Sequence, residues 1–309
     1  MNSYSRVFLF LIAALILVAC QREQQASTEP QPAPQPETNV VQVIAKDFSF
    51  HVEPELLSGW TTFQLVNEGH ATHFFMLSLL PEGVSFEQYR DDAATVFDEV
   101  FEALKSGEAD KAQAGAMLGE LLPEWFFTVR QMGGTGLIAA GETAQTTMKL
   151  DPGRYAMECY IKTPEGIFHT TLGMMRPVTV LAESSNMSPP ESNVELTLTN
   201  FEYEISGTPV AGSNTVAVHF NEQPEFGLGN DVHVARLGED QDLQEVIEWM
   251  DWMNITGLQS PSPAAFLGGS QEMPVGSTAY FTVNLEPGRY AWIAETAAAL
   301  GMVETFVVE

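Results

Sequence analysis

The sequence predicts an all-β chain of two tandem sandwiches, and three observations predict it. First, the chain repeats itself: GGTGLIAAGETAQTTMKLDPGRYAMEC from Gly133 aligns without a gap with GGSQEMPVGSTAYFTVNLEPGRYAWIA from Gly268. Second, apolar residues alternate over short stretches bounded by Gly, Pro and Asn, the pattern of half-buried strands. Third, a Ser/Pro-rich run, AESSNMSPPESN, separates the two copies.

From the N-terminus, MNSYSRVFLFLIAALILVAC has a positive Arg6 and an apolar run, Val7 to Ala19. That run is too short to span a bilayer and has the length of a signal-peptide core. Leu17-Val18-Ala19-Cys20 resembles the bacterial lipobox, which implies a signal peptide at 1–19 and a lipidated Cys20. Gln21 rather than Asp follows the Cys, which favours the outer membrane over the inner. Residues 20–38, rich in Gln and Pro, cannot build a core and read as a tether, extended at about 3 Å per residue.

The first sandwich is expected over 39–182, the linker over 183–193 and the second sandwich over 194–309. KDFSFHVEPELLSGWTTFQLVNEG near Asp47 parallels TNFEYEISGTPVAGSNTVAVHFNEQ near Asn200. Pro152-Gly153 and Pro287-Gly288 read as tight turns between strands. Each half also carries a short helical insertion. Val84-Ser85-x-x-Gln88-Tyr89 reads as a helix start, followed by Phe86, Tyr89, Ala93, Phe97, Val100, Phe101 and Leu104 at helical spacing. Asp242-x-x-Glu245 caps a helix with Val246, Ile247, Met250 and Met253 on one face. Residues 194–309 are expected to fold alone.

The formal charge of -28 argues against nucleic acid as a partner, since phosphate contacts need Lys and Arg. It suits either the steering of a basic redox partner or solubility alone. With Cys20 lipidated, Cys159 is a lone thiol in an oxidising compartment, either buried, metal-bound or a liability.

Two motifs carry chemistry. Asn67-x-Gly69-x₃-His73 precedes the apolar strand from Phe74 to Leu80. Pro152-Gly153-x-Tyr155-x₃-Cys159 leads through nine residues to His169 and then Gly173-Met174. A copper electron-transfer site takes a trigonal His₂Cys plane with a weak axial Met. In this order the residues resemble the cupredoxin family. The resemblance implies two tandem cupredoxin-like Greek-key β-sandwiches, with one type 1 copper site in the first domain only, held by His73, Cys159, His169 and Met174. His70 competes with His73, and the spacing favours His73. The long Cys-to-His interval is similar to the type 1 loop of copper nitrite reductases. Thr163-Pro164-Glu165-Gly166 can turn that loop back on itself.

Two departures bear on function. Where copper nitrite reductases and multicopper oxidases place a His before the Cys, this chain has Glu158, and none of its six His forms an H-x-H pair. A second, catalytic copper is not expected, so the chain reads as no enzyme. In the second half Ala294 stands in place of Cys159, and only His233 and Met302 are read as survivors of the motif. The leading reading is a membrane-anchored periplasmic blue-copper protein carrying single electrons. The alternatives are a metal-free cupredoxin-like binding or scaffold lipoprotein and, from its 13 Met, a copper carrier.

Overall fold

The computed structural model describes residues 39–224 and 229–309. The signal peptide, Cys20 and the tether lie outside the described residues. The described residues form one compact unit.

The first half contributes β1 (Val40–Lys46), β2 (Ser49–His51), β3 (Glu55–Asn67), β4 (His73–Leu79), β5 (Arg130–Ile138), β6 (Thr143–Leu150), β7 (Gly153–Glu158) and β8 (Met175–Ser184). The second contributes β9 (Val194–Thr199), β10 (Glu202–Gly207), β11 (Gly212–Phe220), β12 (Val232–Leu237), β13 (Ala265–Ser270), β14 (Thr278–Leu285), β15 (Gly288–Ile293) and β16 (Val303–Val308). Alternation builds them as expected: in β1, Val41, Val43 and Ala45 face the core while their neighbours do not. The repeated Pro-Gly-x-Tyr closes the turns before β7 and β15. The Tyr155 hydroxyl donates to the Asp151 carbonyl (2.7 Å) and the Tyr290 hydroxyl to the Glu286 carbonyl (2.8 Å).

Within each half the pairing is the same. β2-β1-β3-β6 and β8-β7-β4-β5 recur as β10-β9-β11-β14 and β16-β15-β12-β13. In the first half β3 serves both sheets, pairing β8 through Glu55–Ser58 and then β1 and β6.

The halves are not two beads on a string. Both sheets run through from one half to the other, β6 against β14 and β5 against β13. Thr146 pairs with Phe281 and Thr135 with Ser270, so residues at the repeat's own offset meet each other. That is the signature of an isologous contact about a two-fold axis, here inside one chain. It also explains Gly136, whose counterpart in the repeat is Gln271. A Cβ on Gly136 would lie 2.8 Å from the backbone of Gly268 and Gly269, so the seam closes only without side chains.

The first insertion is longer than the sequence suggests. Ser85 caps α1 (Phe86–Tyr89), accepting from the Gln88 N–H at 3.1 Å. A π-helical turn, Arg90–Ala94, leads into α2 (Thr95–Ser106), whose Val96, Val100, Phe101 and Leu104 are buried. α3 (Lys111–Leu121) follows, closed at its start by a capping box between Asp110 and Gln113, and then a 3-10 turn at Glu124–Thr128. In the second half α4 (Leu243–Met250) is capped by Asp242, which accepts from the Gln244 N–H rather than from Glu245. Among the described residues no helix is long and apolar enough to cross a membrane.

Candidate metal centre

The site is built from four strand ends. β3 stops at Asn67, which is buried and works as a hub. Its amide donates to the carbonyls of Ala71 (2.8 Å), Ile138 (3.2 Å) and Ala139 (3.1 Å), and its oxygen accepts from the Gly69 N–H (2.9 Å). The coil so formed delivers His73 as the first residue of β4, fully buried. Asp47, in the turn between β1 and β2, reaches across to it: Oδ1 lies 2.7 Å from His73 Nε2.

Cys159 follows directly on β7. The loop beyond it goes out and comes back as expected. Thr163 and Gly166 close the turn (N–H to carbonyl, 2.9 Å), and the His169 N–H donates to the Ile161 carbonyl (2.8 Å). Cys159 Sγ then lies 3.7 Å from His73 Nδ1 and 3.8 Å from His169 Nδ1. Met174 is fully buried, and its backbone bonds both neighbours: it accepts from the Cys159 N–H (3.2 Å) and donates to the His169 carbonyl (2.9 Å). All four predicted residues come together. His70 does not join them. Its ring is exposed and turned to Asp47 Oδ2, 3.0 Å away.

The separations fit one ion. Metal–nitrogen and metal–sulfur bonds of about 2.0–2.3 Å, opened to a trigonal plane, put ligand atoms about 3.8 Å apart. A thiolate and two imidazoles are a donor set for copper, zinc or a similar soft-to-borderline metal. Burial pushes the Cys159 thiol up to about 12 and the His169 imidazole down to about 3, the latter helped by His73. Burial also lowers His73, against the pull of Asp47. Without a cation the thiol and the two imidazoles are therefore neutral, and a metal would have to displace the thiol proton. Burial opposes ionisation of Asp47 as well. The donors from the His70 backbone, the His73 ring and the His70 ring outweigh it and hold the carboxyl down at about 2.

The second half walls the loop in. Its segment from Trp252 to Ser262 bonds the loop at Lys162, whose N–H donates to the Leu258 carbonyl (2.7 Å) and whose carbonyl accepts from the Ser260 N–H (2.9 Å). The Lys162 ammonium is buried, donating to the carbonyls of Trp252 (2.9 Å) and Asn254 (3.0 Å) with the Phe101 ring centroid 4.0 Å away. Sequence reading missed both Lys162 and Asp47. For Asp47 a signal existed: the parallel segment of the second half carries Asn200 there.

The second half corrects one expectation. Ala294 does mirror Cys159, since its N–H donates to the Met302 carbonyl (3.1 Å). His233, however, is not the counterpart of His73. It pairs with Gly269 and Ile293 as Met76 pairs with Gly134 and Glu158. By that register Asn230 takes the place of His73.

His233 instead joins Asp231 and Glu295 in a second buried group with metal-like spacing. The Leu137 N–H donates to His233 Nδ1 (3.0 Å), so that nitrogen keeps its lone pair and the ring proton sits on Nε2. Nε2 faces Asp231 Oδ2 at 3.2 Å and Glu295 Oε1 at 3.8 Å. Burial, with Asp231 beside it, raises Glu295 well above the carboxylate range. With Nδ1 taken up by the Leu137 N–H and the proton on Nε2, the imidazole presents no free lone pair to a cation.

Eight strands recur in the same pairing in each half, and the Cys, His and Met sit on the loop between the last two strands of the first. Each half has the cupredoxin fold. No protein-family model matches the chain, and no curated protein matches it. Among solved structures the chain is similar to a reduced auracyanin from the photosynthetic bacterium Roseiflexus castenholzii, at 18% identity over 47% of this chain and 98% of that one (TM-score 0.27). It is also similar to a multicopper oxidase, at 14% over 87% and 88% (TM-score 0.22). A copper-containing nitrite reductase from Thermus scotoductus SA-01 matches at 10% over 87% and 61% (TM-score 0.22). At such identities and scores no residue role carries over, and the chemistry of this cupredoxin pair rests on its own geometry.

Proposed function

We propose that the protein is a membrane-anchored periplasmic type 1 copper protein that carries single electrons. One observation carries the reading: the Cys159 thiol, buried, has the Nδ1 atoms of His73 and His169 at 3.7 and 3.8 Å. His73, Cys159 and His169 would hold the metal, and Met174 would add a weak thioether ligand. Copper bound there supplies a one-electron Cu(II)/Cu(I) couple. The chain's own residues hold the ligand set in one geometry through both states: Asn67 and Asp47 fix His73, the 163–166 turn fixes His169, and the second half pins the loop at Lys162.

A carrier fits better than a catalyst. Glu158, where an enzyme of this kind would continue to a second copper, accepts from the Tyr89 hydroxyl (2.9 Å) and is buried under α1. The net charge of -28 suits a basic redox partner reached by electrostatic steering. The lipobox at Cys20 would place the carrier on the periplasmic face of a membrane, by preference the outer one, and Cys20→Ser should release it from the membrane fraction.

The test is voltammetry on the full chain loaded with one equivalent of copper. A reversible one-electron couple is expected. Met174→Leu should raise its potential, because losing an axial donor disfavours Cu(II), and Met174→Gln should lower it. No couple in the wild type, or a couple that both variants leave in place, would rule the reading out.

A further inference from the structure

We infer that Asp47 is the positioning residue of this centre: its carboxylate fixes the His73 tautomer and lowers the reduction potential of the bound metal. The inference rests on the copper reading above and names a residue outside the ligand set.

The two imidazoles are held differently. His169 Nε2 is buried with no hydrogen-bond partner, and the Phe48 ring packs on that imidazole at a centroid distance of 4.5 Å. Packing alone orients it. His73 Nε2 lies 2.7 Å from Asp47 Oδ1. A carboxylate can only accept there, so Nε2 carries the proton and Nδ1 presents its lone pair toward Cys159 Sγ. A carboxylate behind a ligating imidazole also raises its basicity.

The carboxylate is itself held. Oδ2 accepts from the His70 N–H (2.8 Å) and faces His70 Nδ1 (3.0 Å), so both oxygens are committed. The space is reserved as well. A Cβ on Gly69 would stand 2.4 Å from Asp47 Oδ1 and 2.7 Å from His73 Nε2. The Gly of the Asn-x-Gly motif is thus the gap through which the carboxylate reaches the histidine. Asn67 holds Gly69 in place through its side-chain oxygen (2.9 Å). Three residues of the motif therefore serve one contact.

The direction of the effect follows from charge. A fixed negative charge one imidazole away favours the more positive ion, Cu(II), over Cu(I). Losing a carboxylate partner of a ligating His costs roughly 10-fold or more in metal affinity. If that loss falls on Cu(II) alone, a factor of ten is about 59 mV for a one-electron couple. Asp47→Asn keeps an oxygen that can accept from Nε2 but removes the charge. Asp47→Ala removes both.

Two measurements on the full chain test this. In the metal-free protein, ¹⁵N shifts of the His73 ring should show a single Nε2–H tautomer, kept in Asp47→Asn and mixed with the Nδ1–H form in Asp47→Ala. In the copper-loaded protein, Asp47→Asn should keep the thiolate–copper colour and raise the midpoint potential by about 59 mV. Asp47→Glu, which restores the charge, should sit closer to the wild type. A coloured, reversible wild type whose potential and His73 tautomer are unmoved by Asp47→Asn and Asp47→Ala overturns the role of Asp47 while leaving the copper reading intact. A wild type with no thiolate–copper band overturns the copper reading and the claim about potential with it. The metal-free tautomer experiment still decides the positioning claim in that case.

Discussion

His70 and His73 stand three positions apart and do opposite things. His73 is buried with Nδ1 turned to the thiol, whereas the His70 ring is exposed and its backbone N–H secures Asp47. His73→Ala should therefore abolish the thiolate–copper band, and His70→Ala should keep it, because alanine retains the N–H. Equal loss of colour in both variants would contradict this assignment. Lys162 offers a test by pH. Burial lowers its ammonium from the ordinary 10.5 to about 7, with Asp251 opposing the shift. Between those values the unfolded chain holds the proton and the folded chain releases it, so stability rises with pH in that window. The stability of the wild type relative to Lys162→Met should increase from pH 7 to pH 10, by on the order of 1–3 kcal/mol. Denaturant titrations showing a flat difference would mean the ammonium is not desolvated. The four candidate ligands were legible because chain order and spacing bring these residue types forward together. Asp47 and Lys162 were not, since each acts on a partner that only folding brings near.

Elements were legible in proportion to how one-sided they are. β1 alternates strictly and α2 buries a full stripe, and both are plain in the sequence. α3 buries only Ala114, so KAQAGAMLGEL carries little periodic signal although its Asp110 and Gln113 cap it well. His233 was misplaced for a related reason: the register of β12, which puts it level with Met76, leaves no mark in the residue order. The seam is an element-scale feature that the repeat announced without explaining. Gly136→Ala would push a Cβ to within 2.8 Å of backbone atoms of Gly268 and Gly269, which have no rotamer to yield. The variant should lose about 1–3 kcal/mol, as overpacking does, read as a lower midpoint in thermal or denaturant unfolding. An unchanged midpoint would mean that the strands β5 and β13 are not in close contact.

At the scale of the molecule, two readings of the second half compete. As a separate sandwich it would leave the first half self-sufficient. The continuous sheets and the bonds to Lys162 make it instead one wall of the metal centre. Residues 39–185 produced alone should then bind Cu(II) more weakly than the full chain and with less colour. Isolated halves would also expose the edges of β5, β6, β13 and β14, an invitation to self-association. Full colour and affinity in the isolated first half would show that the second is dispensable for the site. The fold of each half could be read from its strand pattern. Their fusion could not, because edge-to-edge pairing leaves no periodic mark in the sequence. The central claim remains the thiolate centre, and the visible spectrum of the full chain with one equivalent of Cu(II) tests it most directly. An intense thiolate-to-copper charge-transfer band, saturating at one copper per chain and absent in Cys159→Ser, is the predicted result. A spectrum with only weak copper absorption, or a band that survives Cys159→Ser, would contradict it.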